Sequence, residues 1–146
     1  MVALLDVNVL VALAWPNHVH HEASRRWFLT NQRHGWATCP LTETAFVRVS
    51  SNPAAIPTAV SPGEATAMLG ALTSLAHHAF WPDDLRFGDA RYYALGQVGG
   101  FRQVMDAHLL ALAIRHEGRL VSFDAGLDLV RPPSAPSRAL VLVKST

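Results

Sequence analysis

Short, unbroken apolar runs recur along this chain between longer stretches of helical periodicity. Val2-Ala3-Leu4-Leu5, Leu120-Val121-Ser122-Phe123 and Ala139 to Val143 are the clearest of them. A strand with one wet face alternates apolar and polar residues. A strand without that alternation is covered on both faces, as interior strands of parallel sheets are. Parallel neighbours need a crossover between them, usually a helix. The alternation of the two patterns from end to end predicts an α/β domain over residues 1–146, with a mainly parallel sheet.

The punctuation between the runs supports that frame. Asn8 to Trp15 reads as a short helix stopped near Pro16. Asn17 reads as the N-cap of a second helix through His20, Ala23, Trp27 and Phe28. Trp36 to Cys39 reads as a strand, and Pro40 opens a helix through Glu43, Phe46, Val47 and Ser50, with Asn52-Pro53 as its stop. Ser61-Pro62-Gly63-Glu64 has the form of a capping box, and the helix behind it carries Met68, Leu69, Leu72 and Leu75. Ala79 to Trp81 reads as a short edge strand, Arg86 to Gln97 as a helix broken by Gly99-Gly100, and Val104 to Glu117 as an amphipathic helix closed by Gly118. Arg131 to Ser137 is a Pro-rich loop before the last strand.

Composition excludes little beyond this. Twelve basic residues balance eleven acidic ones, so net charge neither favours nor disfavours nucleic acid. Lys144 is the only lysine, and the arginines that supply the remaining positive charge are the better bidentate phosphate ligands. Cys39 is alone, which rules out an internal disulfide and a Cys-rich metal site and fits a reducing cytoplasm. Asp6 and Asn8 break the N-terminal apolar stretch, so it does not read as a signal peptide, and no run approaches the ~20 residues of a membrane helix.

The acids carry the chemistry. In open parallel sheets, ligands bind beyond the carboxyl ends of the strands. Two strand patterns end in aspartate there, LLD at Asp6 and VSFD at Asp124. Either one alone reads equally as a helix cap. Asp106 precedes Leu109 and Leu110 by three and four residues, which sets a carboxylate on the apolar stripe of its helix. That placement is costly unless the charge is paired or bound to metal. Glu43 shares a helix face with Phe46, Val47 and Ser50, and also suits the positive end of the helix dipole. Together, four carboxylates in apolar surroundings call for a cation. An all-oxygen set suits Mg²⁺ or Mn²⁺ rather than zinc, and carboxylate-held Mg²⁺ is apparatus for phosphodiester cleavage.

In order and spacing these residues resemble the PIN-domain nucleases, most closely the VapC-type toxins of bacterial toxin–antitoxin pairs. Asp6 in LLDVNVL, with Asn8 as its polar companion, is similar to the first family acid, and Glu43 in LTETAFVR to the second. Asp106 in VMDAHLLALA is similar to the third, and Asp124 in VSFDAGL to the fourth, with Ser122 where the family has Ser or Thr. The resemblance implies a three-layer α/β/α sandwich with a five-stranded parallel sheet and a Mg²⁺-dependent endoribonuclease. It also implies a homodimer and a small antitoxin that blocks the site. The chain departs from the pattern at Ala125, where many relatives have a basic or polar residue, which removes one possible substrate contact.

Arg48, Arg86 and Arg102 are candidates to meet RNA phosphates, and His108, beside Asp106, is another, although it lies off the apolar stripe and reads equally as a surface residue. His18, His20 and His21 read as a solvated helix start, and Asp83-Asp84 as a solvated turn. A second function class is a non-catalytic RNA- or protein-binding module on the same fold, which divalent-ion dependence would exclude. An aspartyl phosphatase is disfavoured, because Asn8 stands where a second acid is needed and the only lysine is in the tail.

Overall fold

The computed structural model describes residues 1–145. Five parallel strands, β1 (Ala3–Leu5), β2 (Trp36–Thr38), β3 (His78–Phe80), β4 (Arg119–Ser122) and β5 (Leu140–Leu142), form one sheet in the order β3-β2-β1-β4-β5. Leu4 pairs with Ala37 on one side and Leu120 on the other, so β1 is central. The helices are α1 (Val7–Ala14), α2 (His21–Asn31), α3 (Pro40–Ser50), α4 (Pro62–Thr73) and α5 (Val104–Arg115). None is long and apolar enough to cross a membrane.

Strand alternation divides the interior into two cores. Leu4, Ala37 and Leu120 face one way, onto Leu109, Leu110 and Leu112 of α5. Ala3, Leu5, Trp36 and Val121 face the other way, onto Val9, Leu10, Phe28, Phe46 and Leu69 of α1 to α4. Because both faces are covered, the strands have no wet face, which is why their sequences run apolar without interruption. The expected α/β/α sandwich with a parallel five-stranded sheet is what the chain adopts.

Three local expectations need correction. The second helix starts at His21 rather than behind an Asn17 cap. The His18 ring takes the His20 N–H at 3.0 Å, and the His18 N–H bonds the Trp15 carbonyl, so residues 15–20 form turns instead. Residues 86–97 form no α-helix. Gly88 has a φ of +87°, and the Asp89 carboxylate takes the Arg91 N–H and guanidinium, a side-chain turn that competes with helix. Gly118 is not the left-handed residue that closes α5; Glu117 is, at a φ of +55°.

Gly118 is needed for space. A Cβ there would sit 2.6 Å from the Val2 carbonyl oxygen and 2.7 Å from Trp81 Cη2, between the start of β1 and a buried indole. Gly118→Ala should therefore destabilise the fold by about 1–3 kcal/mol, the usual cost of overpacking. Chemical denaturation would measure it, and an unchanged midpoint would show that this junction yields.

Candidate active site

The strand order reverses at β1, which lies between β2 and β4. The crevice beyond the carboxyl ends of β1 and β4 is the switch point of the sheet, where open α/β folds bind ligands. Asp6 is the residue after β1, and Ser122 ends β4, with Asp124 two residues on. The helix α5 crosses back against the strands to reach β4, so its first turn, with Asp106, lies at this same rim. The helix α3 leaves β2 here as well, with Glu43 in its first turn.

A buried polar network fixes Asp6. Its Oδ1 accepts the Val7 N–H at 2.7 Å, capping α1, and its Oδ2 accepts the Ser122 hydroxyl at 2.7 Å. Ser122 Oγ in turn accepts from Asn8 Nδ2 at 3.1 Å and from the Asp124 N–H at 3.0 Å. One proton given and two received exhaust what a hydroxyl can do. Ser122 is fully buried and thus ties the two aspartates and Asn8 into one unit. The carboxylate of Asp124 takes the Gly126 N–H at 2.8 Å, and the residue is otherwise exposed.

Electrostatics couples the three aspartates. Burial pushes the Asp6 carboxyl above its ordinary range; the Ser122 and Val7 hydrogen bonds oppose this, and the Asp124 charge adds to it. Burial first, then the charges of Asp6 and Asp124, push Asp106 up to about 6. Among the described residues, arginine and histidine ion pairs take Glu22, Asp83, Asp84, Asp89 and Asp128, and no such pair includes the rim acids. Crowded carboxylates without a cationic side chain fit a divalent cation. No three His, Cys, Asp or Glu side chains among the described residues form a ready cage.

Glu43 stands apart from this trio. Its Oε2 accepts the Thr38 hydroxyl at 2.6 Å, and Thr38 Oγ1 lies 2.8 Å from His78 Nε2. Since the one hydroxyl proton goes to the carboxylate, His78 donates from Nε2. Glu43 and Arg48 also line an open depression of about 480 Å³ between α3 and α4. Arg86 is exposed in the segment after β3, and Arg102 is exposed one turn before Asp106, its guanidinium 5.6 Å from the Phe101 ring centre.

His108 is not a surface residue. It is 8% exposed, with Nε2 2.7 Å from Asp83 Oδ1 and Nδ1 bonded to the buried Tyr93 hydroxyl. This set pins the segment after β3 onto α5; Asp83 is exposed, as expected, but its carboxylate is bonded to His108. Thr38, His78, Asp83 and Tyr93 were missed in the sequence. Thr38 alone carried a signal, a hydroxyl ending an apolar run just as Ser122 does.

The fold and rim define a parallel α/β protein with carboxylates at the switch point of its sheet. Comparisons with known proteins make that specific. A family model described as the PIN domain matches residues 3–131. Ribonuclease VapC39 of Mycobacterium tuberculosis is 53% identical over 127 residues, covering 87% of this chain and 91% of its own. Ribonuclease VapC38 of the same organism is 48% identical over 143 residues, covering 97% and 99%. A solved structure of VapBC2 from Rickettsia felis, bound to a DNA fragment from their promoter, superposes with a TM-score of 0.68 at 14% identity, covering 99% of this chain and 100% of that one. The chain belongs to the PIN-domain family.

Proposed function

We propose that this protein is a Mg²⁺-dependent endoribonuclease, the toxin of a VapBC-type pair. The observation that carries the reading is the unpaired trio Asp6, Asp106 and Asp124 at the switch point of a PIN-domain chain. The ribonuclease names of its relatives support the reaction. The VapBC neighbour supports a small antitoxin partner. A homodimer acting on cytoplasmic RNA completes the reading.

Asp6 and Asp106 would hold the ion, with Asp124 beside them and Mn²⁺ as a substitute. When bound, the metal supplies an acidified water and stabilisation of charge on the phosphate oxygens. The protein's own part is positioning. Ser122 and Asn8 keep Asp6 in one rotamer, so its carboxylate is oriented before substrate arrives. Thr38 holds one oxygen of Glu43, leaving the other to orient or deprotonate a water. Arg48 and Arg102 would guide the RNA backbone.

RNA cleavage by the purified protein, with Mg²⁺ and then with excess EDTA, tests this reading directly. Cleavage that persists in EDTA would overturn it. The pH profile follows from the raised Asp106. A carboxyl with a pKa of about 6 must lose its proton to bind a cation. Metal affinity should therefore fall as pH drops through 6, by up to tenfold per unit below it. Titration calorimetry with Mn²⁺ at pH 5 and pH 7.5 would show equal affinities if the raised pKa were irrelevant.

A further inference from the structure

We infer that the protein reads one unstacked RNA base in a pocket beside the acids; this rests on the ribonuclease reading above. A cavity of about 390 Å³ lies between the end of α1 and the loop after α3. Its lining includes Trp15, Asn17, His18, Ile56, Pro57 and Thr58. A second cavity, of about 250 Å³, shares His18, Ala55 and Ile56 with it and is lined at its other end by Val7 and Asn8. The two thus adjoin, and their linings together run from Asn8, next to the Ser122 network, to the indole of Trp15.

The chemistry of the lining suits a nucleobase. Flat aromatic and proline surfaces stack on bases of any kind, and single-stranded RNA is read by such stacking plus hydrogen bonds to base edges. Trp15 is held in place, its Nε1 donating to Ser50 Oγ at 3.1 Å. The His18 Nδ1 is occupied by the His20 N–H, so the neutral ring carries its proton on Nε2 as a donor. Burial, then the neighbouring His20 and His21, hold His18 below its ordinary value, which favours that neutral ring. The Asn17 amide and Thr58 hydroxyl add donors and acceptors at the wall. The segment is also tied to the catalytic rim. His20 stacks on Phe123 with ring centres 4.6 Å apart, and Phe123 lies between Ser122 and Asp124. A base seated at Trp15 and His18 would fix which phosphate reaches the acids.

The test uses the full chain and fluorescein-labelled 2′-O-methyl oligoribonucleotides, which resist cleavage. Four homopolymers and a mixed-sequence oligomer carrying an abasic site at successive positions are titrated by anisotropy. The wild type should prefer one base composition and lose about tenfold or more in affinity when a single position is abasic. His18→Ala and Trp15→Ala should weaken binding about tenfold and abolish the abasic discrimination. Because Trp15→Ala removes a half-buried indole, Ala55→Leu, which narrows the two cavities from an exposed position, serves as the second variant and should act the same way. Unchanged affinity and discrimination in His18→Ala and Ala55→Leu would overturn the base pocket, while Mg²⁺-dependent cleavage by the same proteins would leave the ribonuclease reading intact. Loss of self-association in these variants with RNA binding unaltered would overturn it too, by assigning the groove to a second copy of the chain. Absence of any RNA binding would overturn the base pocket, and the cleavage assay on the same protein decides the ribonuclease reading separately.

Discussion

Asp106→Asn should abolish Mg²⁺-dependent RNA cleavage and at the same time raise the melting temperature of the metal-free protein. The two effects have one cause. In the absence of a cation, partial burial and then the charges of Asp6 and Asp124 push the Asp106 carboxyl up to about 6. An unfolded aspartate ionises near 4. The folded state therefore favours the protonated form, and the penalty for ionisation is absent below pH 4, grows between 4 and 6, and is complete above 6. Removing the charge relieves that penalty at neutral pH. After allowing for the residue's partial exposure, the gain is about 1–2 kcal/mol, or roughly 3–6 °C in a chain of this size. At pH 4 the two proteins should melt together. The same charge is what would hold the ion, so the rate should fall by about 10³-fold, the several kcal/mol a catalytic metal contributes. Thermal scans in EDTA at pH 4 and 7.5, beside a cleavage assay, check both halves. A variant that is less stable at pH 7.5, or that cleaves at the wild-type rate, would show that Asp106 is no such residue.

Among changes that leave the acids themselves in place, Ser122→Ala should be the most damaging at the site. The hydroxyl is fully buried and makes three hydrogen bonds, to Asp6, Asn8 and the Asp124 backbone. Alanine leaves the Asn8 amide and the Asp124 N–H without their acceptor, at about 0.5–1.5 kcal/mol for each partly buried hydrogen bond lost. It also removes the hydrogen bond that holds the Asp6 pKa down, so Asp6 would resist ionisation further. Loss of a partner that orients a metal ligand typically costs 10–100-fold in metal affinity or activity. Ser122→Thr keeps the hydroxyl and should retain most of both. Urea denaturation and Mn²⁺ titration of the two variants separate the cases. Equal behaviour of Ala and Thr would mean that the network is not needed.

How much of this was legible before the structure differs from element to element. Val2 to Leu5 and Leu120 to Phe123 read as interior strands because burial on both faces leaves a mark in every residue. Asp6, Asp106 and Asp124 read as acids in apolar surroundings because a charge inside a 3.6-residue stripe or at the end of such a strand breaks a simple pattern. The segment 86–97 misled because its apolar spacing mimics a helix, whereas the turn is set by the Asp89 side chain and by Gly88 at positive φ. His108 misled for a different reason. Its burial depends on Asp83, 25 residues earlier, and on Tyr93, 15 residues earlier, neither of which shares a periodicity with it.

The sequence by itself determined the class of fold and singled out the acids proposed to hold a cation, because both follow from patterns within single strands and helices. The tertiary structure decided which acids feel one another's charge. Sheet order β3-β2-β1-β4-β5 makes β1 and β4 neighbours, and so brings Asp6 to Ser122 across 116 residues of chain. The same order sets Glu43 one strand away, bonded to Thr38 instead. Hydrogen bonds and charges act over a few ångströms in space, and distance along the chain carries almost no information about that.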